Sequence, residues 1–328
     1  MVPVTIHDVA AHAGVSPATV SRAFSRPHKV ADNTRESIER AARAVGYVPI
    51  RRPQNASARR FTKIGVLVPD LNNPFFAGVI RGIIEGAGAN RHILIADFQE
   101  SVVQELELQS TLRQSTDGLI VCSPRQDDES LVRLSGEFPI ALVNRVVKGI
   151  PSVHFDNAGA ISKALMHLRA MGHKHIGYCG GPEDSHSARE RRDEFLKNSE
   201  ETAACIYLGA FSPTTDGGRE ATDAVLNSGV TGVIMYNDLM AVGLMKLMTI
   251  YELPVPERLS VVGIDDIPVS EVVSPGLTTI NLERESAGKA AIKLLDEASV
   301  KVTRLPAHLV VRSSTAKPDG IGSSARHI

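Results

Sequence analysis

From residue 62 onward, short aliphatic runs alternate with longer segments whose apolar residues recur every three or four positions. The runs 63–70 (KIGVLVPD), 92–98 (HILIADF), 118–124 (GLIVCSP) and 140–145 (IALVNR) are apolar at successive rather than alternate positions. That pattern predicts strands buried on both faces of a parallel sheet. The stretches between them, such as 76–89 and 102–115, are long enough for crossover helices. A second series repeats the scheme at 175–181, 205–211, 232–238 and 259–265. Two consecutive doubly wound units predict a cleft between two lobes, with the C-terminal ends of the strands facing it.

The first 48 residues follow a different rule. Thr5-Ile6-His7-Asp8 has the form of a helix start, and Ile6, Val9, Ala10 and Ala13 share one face of the helix that follows. Gly14 ends it, because a residue without Cβ takes a left-handed conformation at no steric cost. Ser16-Pro17 restarts a helix with a hydroxyl cap and proline in the first turn, and Val20, Ala23 and Phe24 supply its buried side. Asn33 with Glu36 caps a third helix, on which Ile38, Ala41, Ala42 and Val45 form a single face before Gly46. Three short helices with a glycine turn between the first two predict a helix-turn-helix, whose second helix enters the major groove of DNA.

Charge sharpens this division. The 328 residues carry 36 Lys and Arg against 37 Asp and Glu, a formal net of −1. Residues 1–60 hold ten of those cations and four of the anions, a net of +6, which leaves 26 against 33, a net of −7, for the rest. A basic head on an acidic body is what a nucleic-acid module joined to a separate sensing unit requires. The exposed side of the second helix offers Pro17, Ala18, Thr19, Ser21 and Arg22, small groups that permit close approach to base edges plus one long cation. Arg22 is the expected base reader, with guanine O6 and N7 as its best partners, and Ala18 suits a thymine methyl. Arg26, Lys29 and Thr34 are expected on phosphates.

The string DVA..AGVS..TVSR, Asp8 to Arg22, resembles the N-terminal domain of LacI/GalR-type transcriptional regulators. The resemblance continues in family order through VLVPDLNNPFFAGVIRGI, MGHKHIGYCGGP, NDLMAVG, VVGIDD and LTTI. AARAVGY and the PD…PFF..VIRGI stretch look nearest to the cytidine-repressor branch. It implies an α/β fold class: an N-terminal three-helix helix-turn-helix domain (1–48), a basic linker (49–61), and a two-lobed periplasmic-binding-protein-like effector domain with parallel sheets (62–318), then a tail (319–328). In that fold the chain crosses between lobes more than once, so the segment LERESAGKAAIKLL should return to the first lobe. The expected DNA-contacting residues are Thr5, Ser16, Pro17, Ala18, Thr19, Ser21, Arg22, Lys29, Thr34, Asn55 and Ala56. The linker departs from the family pattern, since Ala56 stands where a leucine wedge is usual and Pro53 interrupts the hinge helix. A flexible basic tether and a DNA-ordered hinge remain equal readings of it.

In the body, the expected effector contacts are Phe75, Phe76, Asn144, Arg189, Phe211, Asn237 and Asp265, each at or near the end of an expected strand or, by the resemblance, at an effector or lid position. Asp266 and Arg191 rank instead as cap or interlobe ion-pair residues. Asn, Asp, Arg and aromatic groups together suit a sugar, sugar acid or nucleoside. No cofactor or metal is expected: the cysteines at 122, 179 and 205 have no zinc spacing, and His173-Lys174-His175 reads as cations at a helix end. No nucleotide-binding or nucleophile-elbow motif points to an enzyme. The expected partners are double-stranded operator DNA, a small-molecule effector and a second copy of the chain as a homodimer, with no membrane and a cytoplasmic location. A transport-type solute-binding protein and an α/β enzyme acting on sugars are the alternatives.

Overall fold

The computed structural model describes residues 6–25, 30–45, 61–200, 205–297 and 299–318. Thr5, Lys29, the linker residues 49–60 with Asn55 and Ala56, and the tail from 319 lie outside them, as do the side chains of Ser21 and Phe24. The chain divides into two compact units between Arg60 and Phe61.

The first unit contains α1 (Ile6–Ala13), α2 (Pro17–Ser25) and α3 (Asp32–Val45). Val9, Ala10, Val20, Ala23, Ile38, Ala41 and Ala42 form its core, so all three apolar stripes meet. Gly14 takes φ +67°, which turns the chain so that the amide of Val15 reaches back to the carbonyl of Ala10 at 3.1 Å. Helix α3 starts at Asp32, slightly ahead of the expected Asn33 cap, because the Ala31 carbonyl already accepts from the Arg35 amide at 3.0 Å.

The second unit opens with Phe61, buried in its core, and builds a lobe from β1 (Lys63–Val68), α4 (Pro74–Ala87), β2 (His92–Asp97), α5 (Val102–Ser115), β3 (Gly118–Cys122), α6 (Asp128–Glu137), β4 (Ile140–Val143) and β5 (Ser152–Phe155). The chain then forms a second lobe from α7 (Asn157–Ala170), β6 (Ile176–Gly180), α8 (His186–Glu200), β7 (Cys205–Ala210), α9 (Thr215–Glu220), α10 (Thr222–Asn227), β8 (Gly232–Met235), α11 (Asp238–Ile250), β9 (Ser260–Val262), α12 (Val269–Val272) and β10 (Thr279–Asn281). It ends with α13 (Arg284–Glu297), β11 (Val302–Leu305) and β12 (His308–Val310).

The sheet orders are β11-β5-β4-β3-β1-β2 and β7-β6-β8-β9, with every pairing parallel. Because β11 joins the first sheet and α13 packs on α4, the late segment does return to the first lobe. The two helices meet at glycines: a Cβ on Gly82 would lie 2.0 Å from the Glu285 carbonyl oxygen, and one on Gly288 would lie 2.1 Å from that of Val79. A third crossing runs from β12, antiparallel to β10, into the second lobe, where the Val261 amide donates to the Ser314 carbonyl at 2.8 Å. Three crossings make two lobes with one cleft.

Candidate functional site

In the head, α2 turns Val20 and Ala23 inward and leaves Ser16, Ala18 and Arg22 exposed, with Pro17 and Thr19 half-buried. Ser16 fixes the start of that helix, since its Oγ accepts from the Thr19 amide at 3.1 Å and lies 2.8 Å from Thr19 Oγ1. The Arg22 side chain folds along its own helix, with Nε donating to the Ala18 carbonyl at 3.2 Å. Its terminal nitrogens are thus held near Ala18, on the same side of α2. Thr34 sits half-buried on the first turn of α3. This is a small-residue surface with one long cation, as a groove-reading helix needs.

In the body, the strand ends break into left-handed backbone at the cleft. Ser123 after β3 has φ +46°, Asn144 after β4 has φ +62°, and Asp265, beyond β9, has φ +125°. Such conformations cost about 1–3 kcal/mol each and cluster where a protein clamps a ligand. The cavity they border is lined by both lobes. From the first lobe come Asn73, Phe75, Phe76, Glu100, Ser123, Arg125 and Asn144; from the second come Ser187, Arg191, Pro213, Tyr236, Asn237 and Asp265.

Each of these side chains is held. Asn73 caps α4 by accepting from the Phe75 amide at 3.0 Å, which aims Phe75 and Phe76 into the cleft with rings edge-on, 5.3 Å apart. Asn237 caps α11 through the Met240 amide at 2.9 Å and donates to the Pro213 carbonyl at 2.8 Å. Arg125 donates to the Ser123 carbonyl at 2.8 Å and through Nε to Glu100 at 2.7 Å, with Nη2 closing a second contact to the same carboxylate. Buried Glu105 on α5 holds the loop that carries Arg125, accepting from the backbone amides of Arg125 and Gln126 and from the side chain of Gln126. Burial pushes the carboxyls of Glu100 and Glu105 up, against the pull of Arg125 on Glu100 and of the Gln126 side chain on Glu105.

One hydrogen-bonded chain crosses the cleft. Asn144 Nδ2 donates to Ser123 Oγ at 3.1 Å, and Asn144 Oδ1 accepts from Asn157 Nδ2 at 3.0 Å. The other oxygen of this chain, Asn157 Oδ1, accepts from Arg191 Nε at 3.1 Å, while Arg191 Nη1 donates to the Tyr236 carbonyl at 2.6 Å. The Arg191 guanidinium also lies 4.8 Å from the centre of the Tyr236 ring and 4.0 Å from Asp265. Burial lifts the Asp265 carboxyl well above its ordinary value, opposed by Arg191.

Five of the seven expected effector residues thus line one cavity, and two do not. Arg189 lies outside the cavity lining. Its guanidinium turns away to the carbonyls of Glu183 and Asp184, both at 3.1 Å, and Arg191 occupies the cleft instead. Helix geometry explains the exchange: Ser187, Arg191 and Phe195 are four residues apart, share the buried face of α8, and leave Arg189 on another side. The fully buried Phe195 was the available signal. Phe211 packs beside the second-lobe core, and Pro213 reaches the cavity in its place. Asp266 is an ion-pair residue as ranked, 2.7 Å from Arg312.

Sequence reasoning also missed Glu100, Ser123, Arg125 and Tyr236. All four lie within about three residues of a strand's C-terminal end, the zone where open parallel sheets bind ligands. Among the described residues no three His, Cys, Asp or Glu side chains are grouped to hold a metal, and no helix is long and apolar enough to cross a membrane. His173 is structural, bridging Thr231 Oγ1 at 2.8 Å and the Ala316 carbonyl at 2.9 Å. Burial pushes the thiols of Cys122 and Cys179 up to about 12, so both stay protonated.

An exposed helix with a small-residue face suited to a DNA groove in one unit, and a polar cleft between two α/β lobes in the other, fit a regulator that joins DNA recognition to small-molecule binding. Residues 5–49 match the bacterial regulatory proteins of the lacI family, and residues 165–315 match a periplasmic binding protein-like domain. The HTH-type transcriptional repressor CytR of Escherichia coli (strain K12) is 33% identical over 301 residues, covering 89% of this chain and 88% of CytR. The lac repressor dimer bound to operator and the anti-inducer ONPF superposes with a TM-score of 0.68 at 28% identity, covering 96% of this chain and 99% of that one. A LacI family regulator from Enterococcus faecalis with bound ribose gives 0.72 at 27%, covering 78% of this chain and 100% of its own. The chain belongs to the LacI family of bacterial transcriptional regulators.

Proposed function

We propose that this protein is a cytoplasmic, homodimeric repressor whose affinity for a near-palindromic operator is set by a sugar or nucleoside bound between the lobes. The observation that carries the reading is the hydrogen-bonded chain Ser123–Asn144–Asn157–Arg191, which ties the first lobe to the second through the walls of the cavity. A ligand contacting both ends of that chain binds one lobe angle better than another. Only such a difference shifts a conformational equilibrium, and a swing from 99:1 to 1:99 takes about 5.5 kcal/mol.

Support comes from relatives that pair the two activities. CytR is named a transcriptional repressor, the lac repressor dimer is seen on operator DNA, and the Enterococcus faecalis regulator holds ribose. Support for self-association comes from the first-lobe edge: β2 is the outer strand of its sheet and exposes Ile95, while the neighbouring α4 and α5 expose Ile84, Val103 and Leu106. We read the cleft as a binding site rather than a catalytic one, since its arginines are engaged by protein acceptors.

The test is a mobility-shift titration of an operator fragment by the full-length chain at several salt concentrations. Specific binding that weakens linearly in log–log form with salt is expected. Equal affinity for the operator and for unrelated duplex would overturn the proposal.

A further inference from the structure

We propose that His154 and Glu190 form a proton-operated latch between the two lobes, closed near neutral pH and released by acidification. The proton acts from outside the cavity and needs no ligand in it.

His154 is next to last in β5 of the first lobe, and Glu190 lies on α8 of the second. Their contact, His154 Nε2 to Glu190 Oε1 at 3.4 Å, therefore spans the lobe boundary. The other oxygen of that carboxylate accepts from Asn157 Nδ2 at 2.9 Å, and the same nitrogen donates to Asn144 Oδ1 at 3.0 Å. The latch is thus continuous with the hydrogen-bonded chain that crosses the cleft, although neither His154 nor Glu190 lines the cavity. His186, one helical turn before Glu190, brings its Nε2 to 3.4 Å from the same Oε1, with its ring 6.5 Å from that of His154. Two imidazoles from opposite lobes share one carboxylate oxygen.

The decisive atom is His154 Nδ1, which is buried and has no hydrogen-bond partner. In the neutral ring Nε2 donates to Glu190 and Nδ1 carries no proton. Proton uptake turns Nδ1 into a donor, and a buried N–H without an acceptor is costly. The imidazolium is satisfied by water once β5 and α8 part. Glu190 and Asp156 attract a proton to the ring, while Arg304 on the adjoining β11 and His186 on α8 repel it. Burial outweighs the carboxylates and holds His154 below its ordinary value of 6.5. Burial also pushes the Glu190 carboxyl up, but the bond from His186, the charge of His154 and the Asn157 amide bring it below its ordinary value. Glu190 therefore stays ionised while the imidazoles titrate.

An imidazole depressed in the latched arrangement and ordinary once hydrated favours the latch above its ordinary value. That preference is lost as pH falls below it. One such group changes the ratio of latched to unlatched protein by at most about tenfold per pH unit. His167 and His173, also held down by burial, bond to Thr315 and Ala316 within the second lobe and do not span the boundary.

The lobe angle can be read directly. Nitroxides are attached at exposed helical positions, Arg133→Cys on α6 and Asp223→Cys on α10, in a Cys205→Ser background, since Cys122 and Cys179 are buried. The full-length labelled chain is diluted with unlabelled chain, so that pulsed electron resonance reads distances within one chain. Spectra are taken without DNA or ligand at about pH 7.5 and about pH 5.5, either side of an ordinary histidine. A second distance should gain population on acidification, its ratio to the first rising by up to about tenfold. His154→Gln, which cannot take up the proton, should show no such gain, and His186→Gln should keep it. Glu190→Gln retains the imidazole and withdraws the carboxylate that attracts its proton, so it should gain at least as much as the wild type. Circular dichroism confirms that each variant is folded. An unchanged distribution in the wild type, an undiminished gain in His154→Gln, or a gain abolished in folded His186→Gln or Glu190→Gln would overturn the proposal. If His154→Gln does not fold, the other two variants still decide. Neither DNA nor ligand enters, so a failure of operator binding would sink the repressor reading and leave this one standing.

Discussion

Replacing Arg191 by methionine keeps the bulk of the side chain and removes the guanidinium that links Asn157, Tyr236 and Asp265. Two hydrogen bonds from a charged donor are lost, at 3.1 and 2.6 Å, each worth about 1.5–3 kcal/mol where the donor is ionised. The Asp265 carboxyl, 4.0 Å away, also loses a cation while staying buried. These contributions overlap, so the expected loss is about 3–5 kcal/mol in total. Arg189→Met is the control: its bonds go to two carbonyls at a partly exposed loop and should cost under about 1 kcal/mol. Urea unfolding followed by tyrosine fluorescence reads the right region, because the chain has no tryptophan and four of its five tyrosines, at 178, 207, 236 and 251, lie in the second lobe. Operator binding by Arg191→Met should survive, since the head folds around its own core. Equal losses for the two variants, or a loss under 1 kcal/mol for Arg191→Met, would refute the placement of Arg191 as the buried arginine of the cleft.

Other outcomes follow from the same geometry. Arg22→Ala should cost about 1–3 kcal/mol of operator affinity and relax preference at one base pair, as read by binding to single-position operator variants; uniform weakening across all variants would place Arg22 on phosphate instead. Val103→Glu with Leu106→Glu puts charge on the exposed face of α5. Sedimentation should then show a monomer and operator affinity should fall at least about a hundredfold as the two heads are unlinked, whereas an unchanged dimer would move the interface elsewhere. Asp265, buried among Arg191, Asp238 and Arg284, has a carboxyl lifted well above its ordinary value. A neutral ligand donating hydroxyls to it favours the ionised form, so affinity should be flat above the raised value and fall as pH drops through it. An anionic ligand would show the opposite slope, and calorimetry with D-ribose and D-ribose 5-phosphate across pH separates the two.

The strands of both sheets that are buried on two faces were legible as apolar runs, because burial on both sides leaves no polar alternation to confuse them. Strands without a continuous apolar run were not: β5 reads Ser-Val-His-Phe, and β11 at the sheet edge reads Val-Thr-Arg-Leu. The three helices of the head were legible from their single apolar faces and from Gly14. In the cleft, residues that cap a helix directly after a strand, such as Asn237, could be read from local pattern. Arg191 and Arg125 could not, because their place depends on the rotation of α8 and on the buried Glu105 that holds a loop 20 residues away. The ion pair between Glu100 and Arg125 joins two loops that follow different strands, and no local signal connects them.

A two-fold dimer that reads DNA under control of its cleft must recognise a two-fold operator. Selection of binding sites from a random duplex library by the full-length protein tests that directly. The expected result is an inverted repeat with two half-sites, bound with an affinity that changes when a neutral ligand occupies the cleft and no longer changes in Arg191→Met. Recovery of no two-fold motif, or of one whose affinity is indifferent to every ligand that calorimetry shows entering the cleft, would contradict it.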